Sequence, residues 1–266
     1  MHVTIDFPTN ITAEKLFFPL GIGTPHHSVT SVDVNLPYKT YRIHGSNQWV
    51  GVADAPDHAV TLTYEYADTG CPYPEEMFAH RPSRFTRAAH GLREDAETLR
   101  DAADPAQAVV NQVTGLFSYG HVDKTYYDDA DELPQLCDMT TGSCVDINAY
   151  LIASLRAAGV DAGYVTGYFF PEEKQGSTFE MHCWVVTRDE NYGCREWDIA
   201  HLLKMGRQDV HASLNPKPGR RAAIAHSMGH DIPALGLSDA KLIAEPIWVT
   251  QSGTERAEMD IRLTPW

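Results

Sequence analysis

Five cysteines and thirteen histidines are the groups of this 266-residue chain best suited to nucleophilic or metal chemistry. Cys144 stands apart by its setting. It follows Thr141-Gly142-Ser143 and opens a run in which Val145, Leu151, Ile152 and Leu155, with Ala149 and Ala158, mark a helical core face. Gly159 is placed to end that helix. A thiol in the first turn meets unpaired N–H groups and the positive end of the helix dipole, which stabilise an anion. Its pKa falls and it becomes a better nucleophile at neutral pH. The same position also suits a small buried apolar residue. His182 stands early in an expected strand, Glu180–Thr187, and Asp198 late in the next, Arg195–Ile199, after the turn 189–193. If the two strands form an antiparallel hairpin, both side chains reach one end of the sheet. A Cys–His pair oriented by a carboxylate is the thiol form of the nucleophile, base and orienter arrangement.

Metal chemistry is the main rival. Cys137, Cys144, His182 and Cys183 are soft ligands, yet Cys137 and Cys144 are seven apart and the chain has no Cys-x-x-Cys. A zinc knuckle spaces its cysteines by about two to four residues. His182 and Cys183, adjacent on a strand, point to opposite faces. His226-Ser227-Met228-Gly229-His230-Asp231 would align two imidazoles on a helix, but Gly229 and Pro233 oppose one, so a surface loop is expected. Asp123, Asp128, Asp129, Asp131, Glu132 and Asp138 lack the order of a calcium loop and read as a solvated loop lining a cleft mouth. No metal and no cofactor is expected. Cys137 is either a loop thiol or a regulatory disulfide partner of Cys144. Cys183 and Cys194 read as packing residues or bystanders.

These groups need elements to hold them. Over residues 1–75 the alternation of Val3, Ile5 and Phe7, and of Val60, Leu62, Tyr64 and Tyr66, predicts a β module. Gly45-Ser46-Asn47 reads as a hairpin turn inside it. Cys71-Pro72-Tyr73-Pro74 and Arg81-Pro82-Ser83 break the pattern. Helical spacing begins near residue 84 through Ala88, Leu92 and Leu99. Asp104-Pro105 then starts a second helix as N-cap and first residue. A strand is expected over Ala162–Phe170, followed by a polar loop from Glu172 to Thr178, and residues 204–231 read as irregular.

The order of these motifs resembles the core of the transglutaminase-like superfamily. The resemblance rests on Gly142-Ser143-Cys144-Val145-Asp146, Leu155-Arg156-Ala157-Ala158-Gly159-Val160, Val165-Thr166-Gly167-Tyr168, His182-Cys183-Trp184-Val185 and Trp197-Asp198. Phe117-Ser118-Tyr119 fits the aromatic-x-Tyr found upstream in bacterial members. The resemblance covers about 109–200. It implies an α+β fold with a papain-like cysteine-enzyme core, a Cys-bearing helix packed on an antiparallel sheet, beside the N-terminal β module. It implies Cys144 as nucleophile, His182 as base and later acid, and Asp198 as orienter, with the Cys144 backbone N–H as one oxyanion donor. Tyr119 is a candidate for the second donor. The activity implied is acyl transfer on an amide or peptide carbonyl through a Cys thioester. Hydrolysis of the cysteine protease kind is expected; a transglutaminase or amide-forming acyltransferase with an amine acceptor, and a binding module without turnover, are the alternatives.

Three consecutive segments are expected: a β module over 1–75, a catalytic core over 84–205, and an extension over 206–266 packed on the core. Composition bounds the partners. With 21 Lys+Arg against 36 Asp+Glu the net charge is −15, which argues against nucleic acid. Residues 101–200 hold five basic and seventeen acidic side chains, so a protein, peptide or small amide substrate of cationic character is expected. No apolar run approaches the roughly 20 residues of a membrane span. Met1–Phe7 does not read as a signal peptide, so a cytoplasmic location with reduced thiols is expected.

Overall fold

The computed structural model describes residues 1–79, 81, 83–179 and 181–266. Pro82, named above as a breaker, and Glu180, the first residue of an expected strand, lie outside the described residues. Two compact units result, one of residues 1–76, 166–181 and 218–266, the other of residues 77–165 and 182–217. The chain is mixed α and β, with mostly antiparallel sheets.

The first unit is built from two five-stranded sheets. In one, His2–Phe7 lies between Val60–Ala67 and Asp260–Thr264, with Ile5 opposite both Leu62 and Ile261. Period-2 burial follows the sequence alternation: Val3, Ile5, Phe7, Leu62 and Tyr64 are buried, and Thr61 is exposed. In the other sheet, Ala13–Pro19 pairs with Trp49–Asp54 and with Ile247–Thr250. The hairpin expected at Gly45-Ser46-Asn47 joins Lys39–Arg42 to Trp49–Asp54. Leu16, Phe18 and Trp248 share a core with Ile5, Tyr64 and Ile261.

The last strands therefore belong to this unit, and the three consecutive segments expected from sequence are redrawn. Asp260–Thr264 fills a place beside the first strand of the chain, a pairing across more than 250 residues that no local pattern reports. Residues 204–231 are not irregular throughout, because Gly219–His226 is a strand in this unit with Ala222 to His226 buried. Gly167 is required against it: a Cβ there would stand 1.9 Å from the Ala222 carbonyl oxygen.

Among its described residues the second unit has four α-helices: α1 (His90–Glu97), α2 (Pro105–Leu116), α3 (Cys144–Ala157) and α4 (Ile199–Lys204). All three others pack against α3. From Asp146 to Leu155 every residue of α3 is buried, the pattern of a helix enclosed on all sides. Asp104 caps α2, its side chain accepting from the Gln107 backbone N–H, and Arg195 holds the same carboxylate at 2.6 and 2.9 Å. Gly159, at φ +82°, ends α3, with the Val160 N–H returning to the Leu155 carbonyl. The sheet of this unit contains Met181–Asp189 and Gly193–Trp197, antiparallel with Val185 opposite Trp197, and the first residues of the strand Asp161–Pro171.

Candidate active site

A short parallel pair, Phe117–Tyr119 with Thr140–Gly142, leads into α3. Gly142 permits the close approach, since a Cβ would meet Asp146 at 3.1 Å and Phe117 at 3.3 Å. Ser143 is the N-cap, in extended conformation, and Cys144 is the first helical residue. The end is tied down through Asp146. The Ser143 backbone N–H and hydroxyl both donate to Asp146 Oδ2, at 2.9 and 2.6 Å, and the Tyr127 hydroxyl donates to Oδ1 at 2.8 Å. Tyr126 adds a hydrogen bond to the Asp146 carbonyl. Thus two tyrosines from the acidic stretch brace the turn that presents Cys144, while its carboxylates at 123, 128, 129, 131, 132 and 138 are exposed, as a solvated loop requires.

The sheet brings the other groups to this point. His182 precedes the part of Met181–Asp189 that pairs with Gly193–Trp197, and Asp198 follows directly after Trp197. His182 Nε2 lies 2.9 Å from Asp198 Oδ2, with both side chains buried. An ionised carboxylate can only accept, so Nε2 carries the hydrogen. The other ring nitrogen is left for Cys144, whose thiol is hydrogen-bonded to His182. The hairpin expected from sequence thus joins His182 and Asp198.

Electrostatics follow from that geometry. Burial alone would depress the His182 pKa. The charge of Asp198 and its hydrogen bond outweigh burial, the Cys144 thiol adds to them, and the imidazole is pushed up to about 9. The Cys144 thiol is held below its ordinary range, first by a hydrogen bond from Cys183 and, against burial, by the hydrogen bond and charge of His182. Its place at the N-terminus of α3 acts in the same direction. Burial drives the Cys183 thiol the other way, well up, which keeps it a donor. A buried thiol lowered in this way beside a raised imidazole has the character of a nucleophile for an acyl carbon.

Two residues of this cluster go beyond the sequence reading. Cys183 is neither bystander nor simple filler: Asn148, one turn along α3 from Cys144, donates to its sulfur at 3.5 Å and to its carbonyl at 3.0 Å. His201 stacks on His182, with centroids 3.7 Å apart and planes inclined 12°, and its Nδ1 lies 3.0 Å from the same Asp198 oxygen. The spacing Asp198-x-x-His201 was visible in the chain, but nothing marked Ile199–Lys204 as a helix. His182, Asp198 and His201 have ligand atoms close enough to share a metal ion; the separations of 2.9 and 3.0 Å to Asp198 are those of hydrogen bonds.

Of the other candidates, Tyr119 pairs with Gly142, two residues before Cys144. Tyr119 has the Lys204 ammonium over its ring at 5.1 Å. Cys137 and Cys194 are exposed and not in disulfides. His226 and His230 are buried in the first unit, not on a surface loop: His226 Nδ1 lies 2.9 Å from the Ser227 hydroxyl and Gln48 bonds both backbone groups of His226. The strand ending at His226 removes them from solvent.

The sequence profile of the transglutaminase-like superfamily matches residues 91–201, a span from α1 to His201 that contains Cys144, His182 and Asp198. Over these residues the chain is similar to the core of that superfamily. The crystal structure of a "Putative Cysteine Protease" from Cytophaga hutchinsonii superposes with a TM-score of 0.58 at 12% identity, covering 100% of this chain and 90% of that one. The periplasmic domain of TgpA from Pseudomonas aeruginosa gives a TM-score of 0.40 at 14% identity, over 79% of this chain and 93% of that one. No match to a curated protein was found. The α+β papain-like architecture, with a helix-borne cysteine beside a largely antiparallel sheet, is that of the transglutaminase-like core and of the Cytophaga structure.

Proposed function

We propose that this chain is a thiol-dependent acyl-transfer enzyme acting on an amide or peptide carbonyl, with Cys144 as nucleophile, His182 as base and acid, and Asp198 as orienter. The observation that carries the reading is the chain of hydrogen bonds from the Cys144 thiol through His182 to Asp198 Oδ2. The Cys144 thiolate adds to the carbonyl carbon, and the Cys144 backbone N–H at the start of α3 receives charge on the carbonyl oxygen. The tetrahedral adduct collapses as His182 gives its proton to the leaving amine; the C–N bond breaks and a thioester remains. Neutral His182 then takes a proton from water, the hydroxide adds to the thioester carbon, the C–S bond breaks, and the acid leaves with Cys144 again a thiolate. Water is the acceptor we favour, giving cysteine protease-like hydrolysis; an amine in its place would make the same core a transglutaminase or acyltransferase.

Exposed carboxylates between Asp123 and Asp138, just ahead of Cys144, favour a cationic substrate or acceptor. That advantage should shrink as salt screens charges beyond roughly 8 Å; equal rates for cationic and neutral substrates at low salt would remove it. The reading itself is tested by intact-protein mass spectrometry after reaction with an activated ester. An added acyl group, released by hydroxylamine and absent from Cys144→Ser, is expected. A chain that never acylates on Cys144 is a binding module instead. EDTA should leave acylation unchanged, and loss of the reaction on chelation, restored by metal, would give His182, Asp198 and His201 a different role.

A further inference from the structure

We propose that His201 is a positioning residue of this site: by donating to the same carboxylate oxygen of Asp198 as His182, it weakens the stabilisation that this carboxylate gives the His182 imidazolium and so eases transfer of the proton on the other ring nitrogen of His182 to the leaving group. The inference rests on the acyl-transfer reading above. Both oxygens of Asp198 are engaged. Oδ2 receives His182 Nε2 at 2.9 Å and His201 Nδ1 at 3.0 Å, and Oδ1 receives the His201 backbone N–H at 3.1 Å. One residue, His201, therefore grips the orienting carboxylate from two sides, and its ring covers the face of His182.

Stacking at 3.7 Å decides the protonation states. Two imidazolium rings face to face in a buried site repel, so one proton is held between them. When His182 is the cation facing the Cys144 thiolate, His201 is neutral, with its hydrogen on Nδ1 because a carboxylate oxygen must be given a donor. A hydrogen bond donated to a carboxylate stabilises its charge and reduces its pull on a second donor. Among the described residues, Cys144 from α3, Asp198 and His201 face His182, and Cys183 from its own strand acts on it through Cys144. Of these, His201 is the one whose N–H competes with His182 for Asp198.

The test is 15N NMR of the imidazole rings across pH, with the His182 signal identified by its loss in His182→Ala. His201→Phe keeps a stacked ring and deletes the N–H; His201→Asn keeps a donor near the place of Nδ1. We expect the deprotonation midpoint of His182 to rise by about half a pH unit or more in His201→Phe and to stay near wild type in His201→Asn. His201→Leu also deletes the donor and replaces the Phe variant should that one fail to fold, with the same upward shift expected. An unchanged or lowered midpoint when the donor is deleted, or an equal shift in His201→Asn, overturns the role of His201. Failure of the underlying reading looks different: the wild-type His182 midpoint would then be insensitive to Cys144→Ala and to Asp198→Asn.

Discussion

At Asp198 one carboxylate caps α4 through Oδ1 and orients His182 through Oδ2, so its variants separate the two jobs. Asp198→Asn retains an oxygen for the His201 N–H but turns an N–H₂ towards two ring donors. The fold should persist while turnover falls on the order of 10³–10⁴-fold, because the wrong His182 tautomer is held. Asp198→Ala should in addition lower stability by about 1 kcal/mol through the lost cap. Equal turnover of Asp198→Asn and wild type in a steady-state assay would contradict the orienting role. Cys183 acts on Cys144 rather than on His182. Removing its hydrogen bond in Cys183→Ala should move the acid limb of Cys144 alkylation up by about one pH unit, leaving the alkaline limb, set by His182 near pH 9, in place. An unmoved acid limb would mean that the two thiols do not interact.

The helix α3 carries the site, and its start is held by contacts that the rest of the helix cannot supply. The Asp146 carboxylate has three donors from Ser143 and Tyr127, and it is buried. Tyr127→Phe removes one and should cost about 1–3 kcal/mol in thermal or urea unfolding, with reduced Cys144 reactivity as the turn loosens. A variant as stable and as reactive as wild type would show that the brace is dispensable. The features legible in the chain are those made by local interactions: the Asp104 cap, the thiol at the head of an apolar-faced helix, the Gly159 stop, the hairpin that carries His182 and Asp198. Tyr127 and Cys183 escaped because each meets its partner only through tertiary packing: Tyr127 is 19 residues from Asp146, and Cys183 is 35 from Asn148. His201 escaped for a different reason. Its element is a six-residue helix, too short to show a period.

Over the whole chain, the ends meet in the first unit, where Asp260–Thr264 buries Ile261 and Leu263 beside His2–Phe7. Each such side chain contributes about 1.5–3 kcal/mol, so removal of residues 258–266 should sharply lower the melting temperature; an unchanged melting curve would contradict the redrawn boundaries. Long-range pairing of this kind is why the role of the extension was not legible, whereas the similarity to the transglutaminase-like core over 91–201 was, because its motifs lie in order along the chain. Cys144 competes with four other thiols in the same molecule, two of them exposed. Iodoacetamide labelling across pH 5 to 9, followed by peptide mapping, ranks all five directly. Buried Cys144 should label first in the acidic range, far below the ordinary thiol pKa of about 8.5, and His182→Ala should move its labelling towards higher pH. If Cys137 or Cys194 labels ahead of it, or if Cys144 titrates like a free thiol with His182 present, the thiolate–imidazolium pair proposed for this protein does not exist.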